Sequence, residues 1–119
     1  GIFVFGSNLS GIHGKGAAKT AKKWGAKNGL GEGLSGSTYA LPTVKEKIKG
    51  PLSLTQIKKH VDTFIQFAKG APIYQFYVTE VGCGLGGYTP KDIAPLFKDA
   101  IEVQNISLPQ VFWDILLEN

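Results

Sequence analysis

The sequence predicts an α/β protein: a compact three-layer fold in which a mixed, largely parallel sheet is flanked by helices. Short runs of β-branched and aromatic residues alternate along the chain with segments of helical spacing, an order typical of parallel sheets. The 119 residues are 43% hydrophobic and 18% charged, which suits one domain over residues 1–119 with its own core. Two glycine-rich loops each follow a predicted strand and precede a predicted helix, where ligands usually bind in such sheets.

The first half of the chain is predicted to contain two strands and one helix. Residues 2–5 are β-branched and aromatic, which predicts a short buried strand. Alanines and Trp24 then recur at helical spacing opposite a set of lysines, which predicts an amphipathic helix. We expect residues 26–36 to form a glycine-rich loop and residues 37–41 to form the second strand. Pro42 is predicted to end that strand, because proline cannot continue a central ladder.

The second half begins with the clearest helix signal in the chain. Ser53 and Gln56 have the spacing of a capping box, and the apolar residues that follow hold helical spacing as far as Ala68. Residues 73–81 are rich in β-branched and aromatic residues, as expected of a central strand. Thr89 is predicted to cap the next helix, because Pro90 after it suits a first helical position. The remaining predictions are a tightened or kinked turn at Pro95, a short strand over residues 105–108 and a helix over residues 111–117.

The two glycine loops, residues 6–16 and 82–88, are the predicted binding site for a phosphate group. Glycine allows the backbone to come close to phosphate oxygens and to adopt positive φ, so that consecutive N–H groups can surround an anion. Two such loops at strand ends suit a diphosphate, although glycine-rich turns also serve simply as tight turns. The candidate ligand-binding residues are Ser7, Asn8, His13, Gly14, Lys15, Gly16, Ala17, Gly82, Cys83, Gly84, Leu85, Gly86, Gly87 and Tyr88.

Four of these side chains have a structural alternative. Asn8 either bonds a ribose or base, or caps its own turn. His13 either donates to phosphate, or is an exposed loop histidine. Cys83 is favoured as a structural thiol, because no base is positioned near it in the sequence. Tyr88 either stacks on a sugar or base, or packs on the following helix.

Charge and composition limit the other classes of function. The net charge is +4, and all 13 basic residues are lysines, five of which fall in residues 1–31 without any acid. Such a cluster either attracts an anion or forms a solvated helix face. His13, His60 and Cys83 lack the spacing of metal ligands, so we expect no metal and no cofactor. The apolar stretches are too short to cross a membrane and there is one cysteine, so a cytoplasmic protein without a membrane partner is expected.

Three motifs resemble the macrodomain superfamily, specifically its branch of terminal ADP-ribose glycohydrolases. The resemblance covers about residues 5–105. Residues 14–18 with the lysine-rich helix to Gly25 look like that branch's first glycine loop, residues 81–85 look like its Ile-Gly-Cys-Gly-Leu loop, and residues 39–43 look like the strand between them. The motifs at residues 5–9, 31–34 and 82–85 are also similar to short, uncharacterised bacterial and phage proteins.

The resemblance implies a macrodomain-like fold that binds ADP-ribose or a related nucleotide, free or attached to a macromolecule. In the glycohydrolases a lysine just after the strand attacks the ribose and an aspartate after the second loop assists. The lysine corresponds to Lys45 or to Lys47, but the aspartate position is Gly86. Loss of such a general acid or base typically costs about 10² to 10⁴ in rate. The nearest other acids in the sequence are Glu32, Glu46 and Glu80.

Three hypotheses follow for the function. The favoured one is a binder of ADP-ribose or a related diphosphate nucleotide. The second is an ADP-ribosyl glycohydrolase in which Lys45 forms an imine with the opened ribose. The third is a nucleic-acid-binding module that uses the lysines between Lys15 and Lys27, and the sequence favours it least.

Overall fold

The computed structural model describes residues 1–45 and 50–118, and within these ranges five strands form one mixed sheet. The strands are β1 (Ile2–Asn8), β2 (Gly33–Ser35), β3 (Thr38–Val44), β4 (Phe76–Val78) and β5 (Ile106–Ser107). The α-helices are α1 (Gly16–Ala21), α2 (Leu54–Lys69), α3 (Pro90–Ile93) and α4 (Gln110–Leu117), and 3-10 helices cover Lys22–Trp24, Gly84–Gly86 and Ala94–Ala100. The predicted α/β class is confirmed.

The sheet has the order β2-β3-β1-β4-β5, with β1 at its centre. The pairs β1/β3, β1/β4 and β4/β5 are parallel, and only β2 runs antiparallel, to β3. Because β1, β3 and β4 run in the same direction, their carboxyl ends lie at the same edge of the sheet. The two glycine loops leave the sheet at this edge, from β1 and from β4.

Helices pack on both faces of the sheet and give the predicted three layers. The larger core lies on the face that carries α2, whose apolar stripe is fully buried. Ser53 begins this helix with the predicted capping box: its hydroxyl accepts from the Gln56 N–H at 3.1 Å, and its own N–H donates to Gln56 Oε1 at 3.0 Å. On the opposite face, α1 covers a smaller cluster formed by Phe5, Ala21, Ala26 and Ala40.

Two strand predictions were wrong in their limits. The first strand does not end at Gly6 but continues to Asn8, because Gly6 and Ser7 stay paired with β3. The second strand runs through Pro42 to Val44. Proline is tolerated there because β2 pairs only with Thr38–Ala40, so Pro42 lies past the part of β3 that has a neighbour on both sides.

Two further predictions changed for local reasons. Residues 33–35, predicted as loop, form β2, a three-residue edge strand too short to show a period in the sequence. The strand predicted over residues 73–81 shrinks to β4, and Ile73 is 85% exposed in the turn before it. The last strand and the last helix are confirmed as β5 and α4.

The start of α3 follows the sequence closely. Thr89 precedes it, Pro90 is its first residue, and the Asp92 carboxylate accepts from the Thr89 N–H at 3.0 Å. Pro95 falls in the turn where α3 tightens into a 3-10 helix, as predicted. In the described part of the chain, no helix combines the length and apolar character needed to cross a membrane.

Candidate functional site

A cleft of about 710 Å³ lies at the carboxyl edge of the sheet, between the loop after β1 and the loop after β4. Its volume falls within the usual range of small-molecule sites, about 300 to 1,000 Å³. The residues that line it are Gly6, Ser7, Asn8, Ile12, Gly14, Lys15, Gly16, Ala17, Ala18, Thr43, Val44, Thr79, Glu80, Val81, Gly82, Cys83 and Gly86. Both glycine loops predicted from the sequence therefore meet at one cavity.

The first loop is shaped by side chains at the end of β1. Asn8 Oδ1 accepts from the Ile12 N–H at 3.0 Å, and Asn8 Nδ2 donates to the Ile12 carbonyl at 2.8 Å. The Ser7 hydroxyl donates to the Gly31 carbonyl. Both polar groups are thus engaged within the protein, which favours the turn-capping interpretation of Asn8. Their contribution to the cleft wall is mainly backbone.

His13 holds the first loop against the neighbouring loop instead of facing the cleft. Its side chain is 1% exposed, its ring meets the Phe5 ring edge-on at 5.1 Å, and Nε2 lies 3.1 Å from the Leu30 carbonyl. The Asn28 side chain accepts from the His13 backbone N–H at 3.1 Å. The expectation of an exposed loop histidine was wrong: the Phe5 ring and the Leu30 carbonyl hold the imidazole in the interior, where Nδ1 has no hydrogen-bond partner among the described residues.

The part of the first loop that runs into α1 offers a series of backbone donors to the cleft. Within the described residues, the N–H groups of residues 14–18 donate to no protein acceptor, and the first bond of the helix is from Lys19 to the Lys15 carbonyl at 3.2 Å. Gly16 has φ +59°, a value that favours glycine. The Lys15 side chain is exposed at the cleft. These groups together favour an anion.

The second loop reaches the cleft at Gly82, Cys83 and Gly86. Gly82 has φ +76° and lies directly against Gly6 of β1. Thr79 anchors the loop, because its hydroxyl donates to the Val4 carbonyl at 2.7 Å. Gly86 lines the cleft, and a Cβ at this position would come no closer than 4.0 Å to Thr43 Oγ1.

Three other described residues of this loop, Gly84, Gly87 and Tyr88, do not line the cleft. The Tyr88 hydroxyl donates to the Leu52 carbonyl at 2.6 Å, so Tyr88 joins the loop to the segment that precedes α2. This is a packing role, but its partner lies just before α2 and not in the following helix that was expected. Gly84 and Gly87, both with positive φ, shape the turn and do not line the cavity. The side chain of Leu85 lies outside the part of the chain that the structure describes.

Cys83 has the properties of a structural thiol. Burial raises its pKa to about 11, and the negative charges of Glu80 and Asp92 add to that shift. A thiol with so high a pKa is protonated at neutral pH and is a poor nucleophile. Its Sγ donates weakly to the Val81 carbonyl at 3.6 Å.

The candidate catalytic groups are scattered. Lys45 is exposed just after β3, and its side chain is not among the groups that line the cleft. Lys47 and Glu46 lie outside the described residues. Glu32 pairs with His60 of α2 at 2.8 Å, away from the cleft.

Glu80 is the one carboxylate on the described cleft wall, and it stands across from the first glycine loop. Sequence reasoning did not place Glu80 in the site. It also missed Ala18, Thr43, Val44, Thr79 and Val81, while Gly6 and Ile12 fell within the predicted first loop without being named as candidate residues. Thr43 and Val44 were missed because β3 was expected to end at residue 41. A signal did exist for Thr79 and Glu80, which directly precede the second glycine loop.

Comparison with known proteins adds no family: no family model, no curated protein and no solved structure matches the chain. Among the described residues, no group of three or more histidine, cysteine, aspartate or glutamate side chains is placed to hold a metal ion.

Proposed function

We propose that the cleft binds a phosphate-bearing nucleotide, namely ADP-ribose or a close relative, as in the macrodomain superfamily that the sequence resembles. The observation that carries the proposal is the meeting of two glycine loops across one cavity at the carboxyl edge of parallel strands. Open α/β sheets bind their ligands at this edge, where loops present unpaired N–H groups. The amides of residues 14–18, which have no acceptor among the described residues, are such groups.

The rest of the cleft wall suits the other parts of a nucleotide. Ile12, Val44 and Val81 supply apolar surface for a base or sugar. Glu80 repels phosphate and therefore favours an orientation with the diphosphate near residues 14–18. The Glu80 carboxylate can then accept from ribose hydroxyls or from an exocyclic amine.

Binding is better supported than hydrolysis by the positions of the candidate catalytic groups. Glycine occupies position 86, where the resembling enzymes carry aspartate, and the Lys45 side chain is not on the cleft wall. We therefore assign the site a binding role, with free or macromolecule-attached ADP-ribose as its ligand.

Calorimetric titration with ADP-ribose, AMP and ribose 5-phosphate tests the proposal. ADP-ribose should bind most tightly, because it carries the base, both sugars and the diphosphate, whereas AMP and ribose 5-phosphate each supply only part of these groups. Lys15→Gln should weaken ADP-ribose binding about threefold to tenfold, while the matched exposed variant Lys98→Gln should leave it unchanged. Absence of binding by all three ligands at millimolar concentration would overturn the proposal.

A further inference from the structure

One face of the sheet is only partly covered by helix. On that face, α1 and the segment after it pack over Phe5 and Ala40. Phe3 and Tyr77 are paired in parallel register, so their side chains point to this same face. Tyr77 is 53% exposed, whereas its neighbours Phe76 and Val78 are buried on the opposite face. The part of the face that belongs to β4 is therefore open.

Three aromatic side chains lie on this face, and two of their rings are in contact. The Trp24 ring meets the Phe3 ring at 4.9 Å with an interplanar angle of 67°, and Tyr77 lies beside Phe3 on the next strand. Trp24 is 48% exposed and Phe3 is half-buried. Single exposed aromatics are common, whereas an exposed pair in ring contact with a third aromatic on the adjacent strand is a candidate contact surface. We call Phe3, Trp24 and Tyr77 the aromatic face.

The chain segment that carries Trp24 is positively charged. Lys22 and Lys23 directly precede Trp24 and are exposed, and Lys19 and Lys27 are exposed on either side of them in the chain. No acid occurs in residues 1–31. The acids Asp62, Asp99 and Glu102 line a groove beside α2, which packs on the other face of the sheet.

We infer that the aromatic face binds single-stranded nucleic acid. Unpaired bases stack on exposed rings, and lysines beside the rings attract the phosphates. A duplex fits less well, because its bases are already stacked and its surface is sugar and phosphate. The lysine ammonium lacks the planar guanidinium with which arginine makes two hydrogen bonds to guanine. We therefore expect little sequence preference.

This surface is separate from the nucleotide cleft. Phe3 lies near the start of β1, and the cleft begins at the end of that strand. Along β1, Phe3 is three residue steps from Gly6, the first cleft residue of that strand, and five steps from Asn8, about 10 Å and about 17 Å at the usual rise. Binding at the aromatic face can therefore be tested independently of the proposed nucleotide site.

Fluorescence anisotropy with labelled dT10, rU10 and a ten-base-pair duplex tests the inference. Both single strands should bind with a Kd of about 1 to 100 µM at 50 mM salt, and the duplex about tenfold more weakly. If three lysines contact phosphates, the slope of log K against log salt should be about −2. No binding of either single strand at 50 mM salt, or equal binding of the duplex, would overturn the inference.

Variants of the aromatic face make the test specific. Trp24→Leu and Tyr77→Leu should each weaken dT10 binding about fivefold to a hundredfold, and Trp24→Phe and Tyr77→Phe should keep most of the affinity. Circular dichroism checks that each variant is folded. Unchanged binding by both leucine variants would contradict a stacking role.

Two matched double variants of lysine test whether a loss of binding comes from the position of the lysines or from the change in net charge. Lys22→Gln with Lys23→Gln should weaken binding about tenfold, whereas Lys91→Gln with Lys98→Gln, an equal loss of charge at exposed positions elsewhere, should change it less than twofold. Equal losses in the two double variants would overturn the inference. Because all four lysines are exposed, their variants should fold, and they test the inference even if a leucine variant does not fold.

Discussion

A side-chain carbon on Gly6 would lie 3.2 Å from the backbone nitrogen of Gly82, so the two glycine loops meet through bare backbone. The same carbon would lie 3.2 Å from Thr43 Oγ1. Gly6 therefore sets the distance between the β1 end, the β3 end and the second loop. This contact brings the two predicted phosphate loops to one cavity.

Gly6→Ala should force these three segments apart. We expect a loss of about 1 to 2 kcal/mol in the free energy of unfolding, typical of overpacking, together with weaker ADP-ribose binding. Urea denaturation measures the first effect. Gly14→Ala is the control for stability, because nothing lies within 4 Å of a Cβ at that position. An equal loss of stability in the two variants would show that Gly6 is not a tight contact.

His13→Ala should destabilise the protein without removing a ligand contact. The variant loses the packing on Phe5 and the hydrogen bond to Leu30, which together predict a loss of about 2 to 4 kcal/mol on urea denaturation. Ile12→Ala, at the adjacent exposed position, should change the free energy of unfolding by less than about 0.5 kcal/mol. If His13→Ala lowers the free energy of unfolding by no more than Ile12→Ala does, the structural role of His13 is contradicted.

The Cys83 thiol should react slowly and only at high pH. Its pKa of about 11 in the folded protein predicts an alkylation rate with iodoacetamide that keeps rising up to that pH. In urea the inflection should fall to about 8.5. The fold favours the protonated thiol, so the stabilisation is present below the unfolded pKa and is lost as the pH rises through 11. A folded-state inflection at or below 8.5 would contradict the burial of this thiol.

Lys45→Ala should leave the affinity for ADP-ribose within about twofold of the parent. The Lys45 side chain is exposed and is not on the cleft wall. For the same reason, borohydride treatment with ADP-ribose should trap no imine in either protein, as judged by mass spectrometry. An adduct in the parent that disappears in the variant would instead support the glycohydrolase hypothesis.

Sequence reasoning placed the loops correctly because their signals are local. Glycine at strand ends, the Ser53 capping box and the order Thr89-Pro90 each act within a few residues. The α/β class followed from the alternation of strand and helix segments. These features do not depend on how distant segments pack.

The errors came from contacts between distant segments. Pro42 remains in β3 because β2 stops short of it, and β2 itself exists because β3 offers an edge. His13 is buried because Leu30 and Asn28, from another loop, supply its partners. Thr43 and Val44 line the cleft because β3 extends to residue 44.

The most direct test of the nucleotide site is an amide-resolved NMR titration of the protein with ADP-ribose. We expect the largest shift changes at the N–H groups of residues 14–17 and of Gly82, with little change at Tyr77 on the far part of the sheet. Shift changes confined to other surfaces, or none at millimolar ADP-ribose, would contradict the binding role of the two glycine loops.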